Sequence, residues 1–101
     1  MSKASIQVGE NGRLEIHGDL SFDSVPGLWN HCRARFSERD ELDIDLSQVE
    51  RSDSAGLALL VECLRLAHQS GKTIRFLNIP AQMLAIARVS SLDQVLPMQR
   101  D

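Results

Sequence analysis

The sequence is short of the devices by which a small protein usually grips a metal, a nucleic acid or a bilayer. Its two cysteines, Cys32 and Cys63, form no CxxC unit, and the three histidines, His17, His31 and His68, do not cluster with them. Zinc sites are built from closely spaced ligand pairs, so no metal is expected, and both cysteines read as small apolar packing residues in helices. Eleven basic residues face fourteen acidic ones, for a net charge of −3, and no run of Lys or Arg stands out. A nucleic-acid binder needs a basic patch to displace phosphate counterions, and a surface-bound membrane protein wants a basic amphipathic helix. Neither partner is expected. The longest strongly apolar stretch, around Ala55 to Val61, is far below the ~20 residues that cross a bilayer. Residues 1–10 lack the apolar h-region of a signal peptide. The expected setting is cytoplasmic and reducing, with no cofactor.

At 101 residues, 43% hydrophobic and 25% charged, the chain reads as one globular domain spanning residues 1–101. Such a domain hides roughly two thirds of its unfolded surface without help from a disulfide. Strand and helix signals alternate, which predicts an α/β fold. Residues 4–9 read as a strand with Ile6 and Val8 on one face. Asn11-Gly12 is a hairpin signal, because both residues tolerate positive φ. A second strand then alternates through Leu14 and Ile16 to His17, giving an antiparallel pair. Residues 24–36 predict a helix: Pro26 falls in the first turn, and Val25, Leu28, Trp29, Cys32 and Phe36 recur on one face. The alternation Leu42-Asp43-Ile44-Asp45-Leu46 predicts a third strand, with residues 47–53 as the connection out of it.

Residues 55–69 carry the strongest helical pattern. Ala58, Glu62, Arg65 and Gln69 share one narrow polar sector, and apolar residues sweep the remaining arc of roughly 220°, well beyond the ~100° that packing on one sheet requires. Neighbouring helices or another protein must cover the excess. Gly71 ends the helix. Residues 73–78 predict a fourth strand, Pro80 opens a helix to about Val89, and a short segment runs from Leu92 to Leu96. The order β-β-α-β-α-β-α implies a mixed sheet: a hairpin, then a parallel βαβ unit with right-handed crossover and helices mainly on one face.

The stretch Arg51-Ser52-Asp53-Ser54-Ala55-Gly56-Leu57 joins a strand to the start of the apolar helix. In an open α/β sheet that is where ligands and partners bind. Asp53 or Ser54 is also the natural N-cap, which by itself accounts for a polar residue there. One glycine is too few for a Walker cradle or a Rossmann fingerprint, and no G-x-S-x-G elbow surrounds either serine. Asp43 and Asp45 share a strand face and read as a polar surface rather than a metal site. Trp29 is the lone tryptophan and there is no tyrosine. It is either a half-buried packing residue or an interface anchor of large contact area.

Taken in order, Gly18-Asp19-Leu20 after the second strand, Ile44-Asp45-Leu46-Ser47-Gln48-Val49 in the third, Asp53-Ser54-Ala55-Gly56-Leu57 opening the helix, and Arg75-Phe76-Leu77-Asn78 ending the fourth strand resemble the STAS domain family. That family takes in sulfate-transporter domains and anti-sigma-factor antagonists. Pro26-Gly27-Leu28-Trp29, the run Asp53 to Leu60, and Val95-Leu96-Pro97 are similar to the STAS subunits of phospholipid-trafficking ABC transporters. That resemblance implies a non-enzymatic module that binds the transporter's ATPase, and through it a membrane permease, using Trp29 and the turn Asp53, Ser54, Ala55 and Gly56. Ser54 stands where those subunits have threonine and is a possible phosphorylation site. Anti-sigma-factor antagonists, the alternative reading, carry their phosphorylated hydroxyl where this chain has Ala55. The resemblance therefore implies binding without chemistry, on a face expected to be convex.

Overall fold

The computed structural model describes residues 4–99. A five-stranded sheet runs in the order β1-β2-β3-β4-β5, each strand beside its predecessor in sequence. β1 (Ser5–Val8) pairs antiparallel with β2 (Leu14–Leu20), and all later pairings are parallel. α1 (Val25–Phe36) carries the chain from β2 to β3 (Glu41–Ser52), α2 (Ser54–Gln69) from β3 to β4 (Thr73–Leu77), and α3 (Ala81–Val89) with a single 3-10 turn, Leu92–Gln94, from β4 to β5 (Met98–Gln99).

One face of the sheet supplies the core. Leu14, Ile16, Leu42, Ile44, Leu46, Ile74 and Phe76 are buried there against Leu28, Cys32 and Phe36 of α1, Leu57, Leu60 and Cys63 of α2, and Met83 and Ala87 of α3. The alternating residues Glu15, His17, Asp43, Asp45 and Arg75 are half-buried on the other face. There the Arg75 guanidinium donates twice to Asp43, at 2.9 and 2.8 Å, and once to Gln99 at 3.0 Å. The hydrogen bonds and charge of Asp43 push the Arg75 pKa further up. The α2 pattern is realised as read: Ala58, Glu62, Arg65 and Gln69 are exposed, while Leu57, Leu59, Leu60, Cys63, Leu64 and Ala67 are buried. The excess apolar arc is covered by α1 on one side and α3 on the other. The helix ends in a Schellman turn: Gly71, at φ +69°, donates to His68, and the Lys72 N–H donates to Ala67 at 2.8 Å.

Four local expectations are corrected. The hairpin loop spans residues 9–13, and only Gly12 takes positive φ (+81°). Gly9 accepts from Gly12 and donates to Arg13, so one left-handed residue suffices to reverse the chain. Gly18-Asp19-Leu20 lies inside β2 rather than after it. Residues 47–52 are strand, not connection. β3 takes up one extra residue between the pairs Glu15–Asp45 and His17–Gln48, and a second between Gly18–Val49 and Asp19–Arg51. The Asp45 carboxylate accepts from the Ser47 N–H at 2.9 Å beside the first bulge, so an Asx-type turn accompanies the slip. Finally, β5 adds a fifth strand, where Pro97 accepts from the Phe76 N–H and Gln99 from the Asn78 N–H.

Candidate functional site

The bulged length of β3 decides where the turn before α2 stands. β2 and β3 end side by side, with Leu20 paired to Ser52. The Leu20 carbonyl accepts from the Asp53 N–H at 3.1 Å, tying the turn to the neighbouring strand. Ser52, 4% exposed, donates its hydroxyl to the Asp53 carbonyl at 2.9 Å. Asp53 is the N-cap of α2: its carboxylate accepts from the Ala55 N–H at 2.8 Å, and its carbonyl from the Gly56 N–H at 3.1 Å. This cap occupies a donor that the helix end would otherwise leave open to an anion.

The candidate residues divide within that turn. Asp53 and Ser54 are exposed, whereas Ala55 and Gly56 are buried under the helix. Gly56 is there for space: a Cβ at this position would lie 1.9 Å from the Ser52 Oγ and 3.2 Å from Leu20 Cβ. Its absent side chain lets α2 start directly against the ends of β2 and β3.

A second turn stands opposite. Between β2 and α1, Ser21 and Ser24 bind one another: the Ser21 N–H donates to Ser24 Oγ at 2.9 Å, and the Ser24 hydroxyl donates to the Asp19 carbonyl at 2.7 Å. The Val25 N–H donates to Ser21 at 2.9 Å, which starts the helical winding four residues back. Between the two turns lies an open groove of about 720 Å³, lined by Asp19, Asp23, His31, Arg51, Asp53 and Gln82 among others. The expected convex face is therefore indented, and Gly27 on the groove wall of α1 leaves open space where a side chain would stand. Gln82 brings α3 to the same end; its Oε1 lies 3.4 Å from the Ser52 N–H.

Trp29 is not in the groove. It is half-buried against the core, on the opposite flank of α1 from Gly27 and His31, which line the groove together with Ala4 beside β1. The structure thus puts Asp53 on the groove wall and leaves Ser54 and Trp29 outside the lining. Residue spacing missed Phe22, which is 73% exposed in the β2–α1 turn. Its one signal in the sequence is that it stands three residues before Val25 and seven before Trp29.

The groove offers carboxylates, one guanidinium and one imidazole, and among the described residues His31 makes no hydrogen bond to a serine of the groove. Among the described residues, no group of three or more His, Cys, Asp or Glu side chains could hold a metal ion. Cys32 and Cys63 are both fully buried between α1 and α2. The Cys63 thiol, hydrogen-bonded to Cys32 and desolvated, is pushed well above the ordinary thiol range. No helix among the described residues is long and apolar enough to cross a membrane.

Comparison with known proteins fits this architecture. A family model described as "Mlab, STAS domain" matches residues 6–98. The intermembrane phospholipid transport system binding protein MlaB of Escherichia coli K12 is 30% identical over 93 residues, covering 91% of this chain and 92% of that protein. A chain in the structure of the Acinetobacter MlaFEDB complex, in an ATP-bound conformation, superposes with a TM-score of 0.81 at 25% identity, over 93% of this chain and 98% of its own. An anti-sigma factor antagonist from Mycobacterium paratuberculosis shares the fold, with a TM-score of 0.72 at 17% identity, over 97% of this chain and 85% of its own.

Proposed function

The chain belongs to the MlaB family of STAS domains, and on that premise we propose that it is a non-enzymatic accessory subunit of a phospholipid-transport ABC system. It is one STAS domain that docks on the transporter's ATPase, supports its assembly and activity, and reaches the membrane permease only through that contact. It sits in the cytoplasm, peripheral to the inner membrane. The observation that carries this reading is the similarity to MlaB over nine tenths of both chains, joined by the likeness to a chain of the MlaFEDB complex.

In this reading the Asp53–Gly56 turn and Trp29 form the docking face. Asp53 and Ser54 meet the partner, Ala55 and Gly56 hold the turn in place from beneath, and Trp29 adds apolar area on the α1 flank. Burial of such area contributes about 25 cal/mol per Å² before association costs. Kinase control in the manner of anti-sigma-factor antagonists does not fit: Ala55, 5% exposed, has no hydroxyl to phosphorylate. Ser54 is exposed and is the remaining hydroxyl that a kinase could reach in the turn. A phosphate there adds nearly two negative charges beside Asp53.

The test is titration of the purified chain against the ATPase subunit of its own transporter. Binding is expected, and Ser54→Asp should weaken it more than Ser54→Ala. Failure of the unaltered chain to form a complex at micromolar concentrations would reject the reading. Equal affinities for the two variants would reject the placement of Ser54 in the contact.

A further inference from the structure

Building on the docking reading above, we infer that Phe22 is an anchor of the ATPase contact, seated in an apolar pocket on the partner whose rim carries lysine or arginine. Isolated exposed apolar residues are ordinary on protein surfaces, but two features set Phe22 apart. First, it is 73% exposed, while Phe36 and Phe76 are sealed in the core and Trp29 is half-buried. Its ring contributes little to folding.

Second, its backbone is held rigidly. The Ser24 and Val25 N–H groups both donate to the Ser21 carbonyl, at 3.2 and 2.9 Å, and the Ser21 N–H donates to Ser24 Oγ at 2.9 Å. The Ser24 hydroxyl then ties the turn to the Asp19 carbonyl of β2 at 2.7 Å. An aromatic ring on a fixed backbone has only two torsions to order on binding, so most of its buried area appears as affinity.

Its direction follows from the same bonds. The i→i−4 bonds from Val25 to Ser21 and from Leu28 to Ser24 carry helical winding back through the turn. At about 100° per residue, positions 22, 25 and 29 fall along one side. Phe22 therefore prolongs the half-buried stripe of Val25 and Trp29 beyond the helix end, where it stands 73% exposed with no described residue covering it. The charges around it indicate the partner's rim. Asp23 is adjacent, and Asp19 and Asp53 line the same groove against Arg51, so this end of the molecule favours a cationic surface.

Binding of the full chain to the purified ATPase subunit of its transporter, read by calorimetry and stopped-flow kinetics, tests the inference. Phe22→Ser should weaken binding about tenfold or more, as for an interface hot spot, with the thermal midpoint unmoved. Phe22→Tyr should restore most of the affinity. Asp23→Lys should slow association and weaken its salt dependence. Val89→Ser, at an 88% exposed residue on the opposite end of α3, should bind like the parent chain. Parental affinity for Phe22→Ser, in a chain whose Ser54→Asp variant is weakened, overturns the anchor and leaves the docking reading standing. A loss of affinity matched by a fall in midpoint also overturns it. If the parent chain itself does not bind, the docking reading fails, and the anchor with it.

Discussion

Replacing Gly56 by alanine puts the packing at the head of α2 to a direct test. The new methyl would arrive 1.9 Å from Ser52 Oγ and 3.2 Å from both Ser52 Cβ and Leu20 Cβ. None of these atoms can swing away freely: Ser52 is 4% exposed with its hydroxyl on the Asp53 carbonyl, and Leu20 is 1% exposed in β2. Forcing a methyl into such a site costs about 1–3 kcal/mol. Alanine's better helix propensity returns up to ~1 kcal/mol. The net loss should be about 1–2 kcal/mol, which for a domain near 100 residues lowers the midpoint by about 4–15 °C. Urea denaturation followed by circular dichroism would show a reduced midpoint concentration at unchanged slope. The contact can be isolated with a double-mutant cycle. In a Ser52→Gly background, which clears both serine atoms, Gly56→Ala should cost far less, with a coupling of about 1 kcal/mol or more. A Gly56→Ala chain as stable as the parent, or a cycle with no coupling, would refute the close approach of α2 to β3.

Asp53→Ala should lose about 1 kcal/mol of stability through the missing N-cap, while Asp53→Asn keeps most of it, both read as urea midpoints. Trp29→Ala should lower both the thermal midpoint and the affinity for the ATPase, because the ring packs on the core from its half-buried flank; an unchanged midpoint would place it wholly on the surface. Cys63 should resist alkylation and disulfide reagents at pH 8 in the folded chain. Its pKa is raised, so the reactive thiolate stays scarce until the pH climbs well past the ordinary thiol range, and urea should release the reactivity. Rapid labelling of Cys63 without denaturant would contradict its burial.

The helix faces and the core strands were legible because their periods are unbroken. The exposed sector of α2, Ala58-Glu62-Arg65-Gln69, and the alternation Leu42-Ile44-Leu46 map directly onto burial. The second half of β3 was not, because its bulges abolish the period of two: buried positions there fall at Leu46, Val49 and Ser52, three apart. A strand with that spacing looks like a loop in one dimension. β5 is two residues long and is defined by its neighbour β4 rather than by any pattern of its own. The loop carrying Asp53 and Ser54 was recognisable from its place between strand and helix. That Ala55 and Gly56 lie beneath it depends on how close α2 comes to Ser52, a distance no spacing encodes. Phe22 went unnoticed for the opposite reason: it resembles one more member of an apolar helical stripe, and only its position past the end of that stripe leaves it uncovered.

The strand order, each strand beside the one before it, bears on how the molecule comes into being. No strand has to wait for a distant segment to be inserted between it and its neighbour. The hairpin of β1 and β2 can form first, and each strand that follows has its place already prepared at the growing margin of the sheet. Only the hairpin is local in the chain; Leu14 meets Ile44 and Leu42 meets Ile74 across whole helical crossovers, so closure of those parallel pairs, rather than strand insertion, sets the pace of folding. The sheet can therefore grow outward from its amino-terminal hairpin, with the turn at Asp53 fastened to β2 through the Leu20 carbonyl before β4 and β5 complete the far margin.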